Sequence, residues 1–99
     1  MTEKKILEGD KLFNGIKPDY PEKDIVVSYL RSGTLRMGAP GIFHDALTGD
    51  VIPNGGQIRE DDYFIWDSEL AYYVEKYNTR LPKDVEDHIL NRVSQLAVV

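Results

Sequence analysis

The stretch whose reading decides the fold runs from Asp61 to Leu90, DDYFIWDSELAYYVEKYNTRLPKDVEDHIL. It holds one of the two His, the single Trp and four of the six Tyr. Leu70, Tyr73, Val74 and Tyr77 recur at i, i+3, i+4 and i+7, the spacing of one apolar helix face. Asp67 stands where a capping carboxylate takes the free N–H groups of a first turn, and Glu69 follows near the positive end of the helix dipole. The spacing predicts a helix from Ser68 to Tyr77, stopped by Asn78 in the left-handed conformation. Pro82 opens a second helix, with Asp84 and Glu86 near its start. Val85, Ile89, Val93 and Leu96 form its apolar side and Leu90 its flank. Two helices with so short a connection pack as a hairpin.

Working upstream, Tyr63-Phe64-Ile65-Trp66 is apolar at every position. Both faces of that strand are expected to be covered, which makes it central rather than an edge. With Gln57–Glu60 it flanks Asp61-Asp62 as a hairpin. Thr34–Met37 is a further short strand, Gly41–Ala46 another extended piece, and Leu47–Asp50 a turn. Val51-Ile52-Pro53 pairs back until Asn54-Gly55-Gly56 ends it. Residues 21–32 carry conflicting signals. Ile25-Val26-Val27 favours a strand by β-branching. Pro21, Glu22, Asp24, Arg31 and a left-handed Gly33 instead punctuate a helix at both ends, and helix is the preferred reading over a hairpin turning at Ser32-Gly33. Residues 1–19 read either as a short helix with Ile6, Leu7, Phe13 and Ile16 on one side or as strand pieces at Ile6–Leu7 and Leu12–Phe13. Gly9 and Gly15 weaken a continuous helix, and the segment is treated as an arm that docks through Phe13.

These elements predict an α+β fold: a small antiparallel sheet from the middle third, packed by an N-terminal helix and a C-terminal helical hairpin. A run of strands followed by helices argues against a βαβ parallel sheet. Ninety-nine residues make one domain. The absence of Cys excludes disulfides, zinc–thiolate sites and thiol nucleophiles. No signal-like or membrane-length apolar run is found, so the expectation is a soluble, cytoplasmic protein. Twelve basic against 17 acidic residues give a net charge of −5. A negative field disfavours nucleic acid and anionic membranes and suits a basic protein partner.

Few residues point to chemistry. His44-Asp45 with His88 offers two imidazoles and a carboxylate, a set that holds a metal ion only if the two His converge. His88, at the edge of a helix stripe, reads first as an interfacial His with a satisfied hydrogen bond. No Ser lies in a nucleophile-elbow pattern. Glu60, Asp61, Asp62, Asp67 and Glu69 form an acidic run without the alternation of a calcium loop. Asn54-Gly55-Gly56 lacks the following helix of a phosphate cradle and reads as a plain turn. Trp66 and Tyr72, set beside the acidic run, have the composition of an interaction hot spot.

Tyr29-Leu30-x-x-Gly33, Asp62-x-x-x-Trp66, Leu70-x-Tyr72-Tyr73-Val74-Glu75-x-Tyr77, Leu81-Pro82 and His88 form a pattern. It resembles a loosely defined group of small bacterial and phage-associated proteins with no established activity. The group's DG-x-W-x-W strand departs here, because Asp61–Trp66 has no Gly and carries Phe64 at the first Trp position. The resemblance implies helix over 21–32 and no catalytic residue. The expected function is therefore contact: an immunity- or accessory-type module that covers a basic partner through Glu60, Asp61, Asp62, Trp66, Glu69 and Tyr72. No cofactor is expected, and the oligomeric state is open. The alternative is a metal-assisted hydrolase or small-ligand enzyme built on His44, Asp45 and His88.

Overall fold

In the computed structural model, which describes residues 4–38 and 41–97, local signals account for most elements. The chain runs β1 (Lys5–Leu7), α1 (Gly9–Leu12), α2 (Lys23–Ser32), β2 (Thr34–Gly38), β3 (Gln57–Glu60), β4 (Phe64–Asp67), α3 (Ser68–Tyr77) and α4 (Lys83–Ala97). The class is α+β, as the sequence predicts, but the expected hairpin of α3 and α4 is replaced by packing of each of these helices against α2. Among the described residues no helix is long and apolar enough to cross a membrane.

Capping fixes α3 at both ends. Asp67 accepts the N–H of Leu70 at 3.1 Å, and Asn78 closes the helix at φ 61° with its N–H on Val74 O. In α4 the Pro82 carbonyl takes the N–H groups of Val85 and Glu86. For α2 the end signals outweigh the β-branched run, with Asp24 in the first turn and Arg31 in the last. Gly33 corrects one expectation. Its φ is −60°, not left-handed, so the chain passes straight from α2 into β2. Glycine is needed there because a Cβ would lie 2.4 Å from Trp66 Cζ2.

The sheet order is β1-β4-β3-β2. The β2–β3 and β3–β4 pairs are antiparallel, but β1 lies parallel to β4 with Ile6 opposite Ile65, so the sheet is mixed rather than antiparallel. The arm supplies this fourth strand, covering a flank of β4 that the hairpin leaves unpaired, and β4 is central as expected, but helices cover only its Phe64 and Trp66 face rather than both faces. Expected strands at Gly41–Ala46 and Val51–Pro53 reduce to one bridge, His44 to Val51, inside a long loop. At the far edge, β2 is blunted by a bulge between Leu35 and Met37 and by the charge of Arg36.

All the main packing lies on one side of the sheet. Leu7, Val26, Leu30, Trp66, Leu70, Val74, Val85 and Ile89 form the core between strands and helices. Each such aliphatic side chain removed from water contributes about 1.5–3 kcal/mol. A second cluster joins Ile52 of the long loop to Tyr73 and Tyr77, with Phe13 stacked on Tyr73 at 4.7 Å. The apolar stripe of α3 thus serves two clusters, and Phe13 docks the arm as predicted.

Candidate functional site

The acidic run does not form one surface. Glu60 Oε2 is bracketed by Lys4 Nζ at 3.0 Å and Arg36 Nη1 at 3.3 Å. Asp61 is half-buried at the hairpin tip. One of its oxygens takes the N–H groups of Tyr63 and Phe64, at 2.8 and 2.7 Å. The other takes the Tyr29 hydroxyl and stands 2.9 Å from His88 Nε2. Burial alone would raise this carboxyl, but these hydrogen bonds hold it below its usual range. Its acceptor capacity is taken up, so it is not a free base. Asp62 is exposed and lies 3.4 Å from Arg92.

The remaining members of the expected surface point elsewhere. Trp66 is 2% exposed, with its indole N–H on Leu30 O at 2.8 Å, so it is a core residue and not an interaction hot spot. It lies on the helix side of β4, where Phe64 also packs, and this alternation was the signal that placed it inside. Glu69 is buried and accepts the N–H of Gly56 at 2.7 Å. Tyr72 lies on α3, where its hydroxyl donates to Asp45 at 2.7 Å and receives Lys76 at 3.1 Å.

The His44, Asp45 and His88 set is not brought together. Asp45 is fully buried against α3, where Tyr77 donates to the same oxygen as Tyr72, at 2.6 Å. The N–H groups of Leu47 and Thr48 take the other oxygen. Burial pushes this carboxyl upward, but the four donors outweigh it and hold Asp45 well below the carboxylate range. His44 Nδ1 lies 3.0 Å from the carbonyl of Gly49 in the same loop. His88 pairs with Asp61 and is boxed by the rings of Tyr63 and Phe64, at 4.8 and 5.0 Å. Among the described residues no three His, Asp or Glu stand close enough to hold a metal ion.

What the sequence reading missed is the outer face of the sheet. Strand alternation sets Leu7, Phe64, Trp66 and Arg59 toward the helices, so Ile6, Ile65, Ile58 and Glu60 face the other way. Register adds Thr34, opposite Glu60, and Met37, opposite Ile58. No described helix covers this face, and Ile6 and Met37 are 66% and 55% exposed. Lys4, Glu60 and Arg36 run through it as a linked charge strip with one positive charge in excess. The legible signal was the apolar Ile6 two positions from Lys4, but its strand pairing is set by a partner far along the chain. Compared with protein-family models, with curated proteins and with solved structures, the chain matches none.

Proposed function

We propose that the protein acts by contact, as a binding module for a partner protein that seats on the uncovered face of its sheet. The observation that carries this reading is the exposure of Ile6 and Met37 on a face that also bears Ile58 and Ile65. Contiguous apolar surface rimmed by charge is how soluble domains present interaction sites. The chemistry of the partner differs from what composition alone suggests. Within the acidic run Glu60 is paired with Lys4 and Arg36 and Asp62 with Arg92, so the charge strip of the open face holds two cations and one carboxylate. A partner with an apolar centre and an acidic rim fits it.

The test is a co-purification from native host extract with the wild type and an Ile6→Glu, Met37→Glu variant. Both substitutions lie on exposed positions, so folding is retained, as the emission of Trp66 would report. A stoichiometric partner of the wild type that is lost from the variant supports this surface. A partner retained by the folded variant, or none with either protein, overturns it.

A further inference from the structure

A depression of about 430 Å³ lies between the end of α2, the start of β3, the Pro53-Asn54 loop and the flank of α3. It is on the helix side of the sheet, away from the face discussed above. Its floor is apolar, made by Leu30 and Ala71. Its wall carries Arg59, whose electrostatics stand apart from the rest of the molecule. Among the described residues ten of the twelve Lys and Arg pair with a carboxylate, and only Lys17 and Arg59 do not. Arg59 is also half-buried. A partly desolvated guanidinium without a counter-ion is unfavourable, and a bound anion removes that cost.

The donors of Arg59 are only partly used. Nη1 donates to the carbonyl of Gly33 at 2.8 Å and Nη2 to Gln57 Oε1 at 3.4 Å, which orients the fork and leaves further N–H groups for a ligand. Beside it, the side-chain N–H groups of Gln57 and Asn54 have no protein acceptor among the described residues, and both residues line the depression. The other arginine of the wall is committed, because Arg31 binds Glu75 through both Nη atoms at 3.0 and 3.1 Å. That pair is neutral, so the wall carries one net positive charge inside a molecule of net charge −5.

The rim is held in place. Ser68 Oγ donates to Asn54 O at 2.8 Å and receives the N–H of Gln57 at 3.2 Å, while Gly56 N–H sits on Glu69. The Asn54-Gly55-Gly56 segment, which reads as a plain turn, is therefore pinned to the start of α3. Asn54 adopts a left-handed φ of 58° there.

We infer that this depression binds a small organic anion, with its oxyanion on the Arg59 fork and its apolar body on Leu30 and Ala71. Carboxylate and phosphomonoester groups share the chemistry that a guanidinium fork recognises in two parallel N–H···O bonds. The volume lies in the range of small-molecule pockets.

The experiment is an amide and arginine-side-chain NMR titration of the full chain at constant ionic strength, with inorganic phosphate and, separately, with succinate. Saturating shifts at Arg59, Asn54 and Gln57 are expected with at least one probe, and which probe saturates distinguishes phosphate from carboxylate recognition. Arg59→Gln weakens that binding by about tenfold or more, whereas Lys17→Gln, which removes the other unpaired cation, leaves it unchanged. If Arg59→Gln does not fold, Arg59→Lys keeps the charge without the fork and still weakens binding several-fold. No saturation with either probe, shifts spread over the surface cations, or binding that survives loss of the fork overturns the site.

Discussion

The carboxylate of Asp45 and the phenol of Tyr77 are 32 positions apart in the chain and meet at 2.6 Å. Through this bond, and those from Tyr72, Leu47 and Thr48, one side chain bolts the long loop to α3. The loop turn also closes on itself through Asp45 N–H to Asp50 O at 2.7 Å and Gly49 N–H to Asp45 O at 2.9 Å. Asp45→Ala leaves two phenols and two backbone donors without their acceptor. Loss of charge-assisted hydrogen bonds at a buried group costs about 2–3 kcal/mol. Denaturant unfolding measures that cost, and hydrogen exchange shows faster opening at Ala46 and Ile52 than in β3 or β4. A variant with wild-type stability and wild-type exchange in the loop would contradict the anchoring role.

Gly33, just before β2, and Gly38, its last residue, should respond oppositely to Ala. At Gly33 the new methyl group meets the buried Trp66 ring at 2.4 and 2.8 Å, and neither the ring nor the nearby Glu60 carbonyl has room to give. Overpacking of this kind destabilises by about 1–3 kcal/mol. At Gly38 no atom of the described residues lies within 4 Å of the added carbon. Gly38→Ala there is neutral or stabilises by about 0.4–1 kcal/mol by restricting the unfolded chain. Thermal melts of the two variants settle the order, and a shifted Trp66 emission in Gly33→Ala alone ties the effect to the ring.

Acid should unfold the protein through specific carboxylates. Asp45 and Asp61 are held below their usual range by hydrogen bonds, and Glu86 by its fork with Arg80 and the N–H of Leu81. A carboxyl with a folded value below its unfolded one contributes stability above the unfolded value of about 4 and loses it as pH falls further. Stability is therefore level near neutral pH with respect to these groups and declines below about pH 4–5. In Asp45→Asn the unfolding midpoint starts lower at pH 7 but falls less steeply between about pH 4 and 2. Equal slopes for the variant and the wild type would exclude Asp45 as a contributor.

The parts of the fold legible in sequence are those set within one turn of chain. Asp67, Asn78 and Pro82 mark the ends of α3 and α4 from their own backbone preferences, and Asp24 with Arg31 does so for α2. What was not legible depends on distant partners. β1 is three residues long and exists because Ile6 lies beside Ile65. The acidic run looked free because Lys4 reaches Glu60 across 56 positions and Tyr29 reaches Asp61 across 32. Arg59 and Glu60 are adjacent and opposite in charge, which suggests neutralisation, yet strand alternation sends them to opposite faces. Trp66 beside acids resembled a hot spot for the same reason: composition records neighbours in sequence, while exposure follows the side of the sheet.

Thr79 carries the one buried side-chain polar atom without a hydrogen-bond partner among the described residues. It is 2% exposed and sits in the connection between α3 and α4, with its backbone already engaged: its N–H is 3.4 Å from Tyr73 O and its carbonyl accepts from Tyr20. The hydroxyl therefore bears a desolvation cost with no compensating bond. Thr79→Val keeps the β-branched shape and removes that group, so the variant should be more stable by about 1 kcal/mol. The backbone bonds around it, including the one from the Tyr20 phenol that burial pushes up to about 12, remain in place. Urea unfolding of the two proteins is the measurement. A loss of stability on Thr79→Val would mean that the hydroxyl has a bound partner, and an ordered water at this connection in a high-resolution crystal structure would identify it.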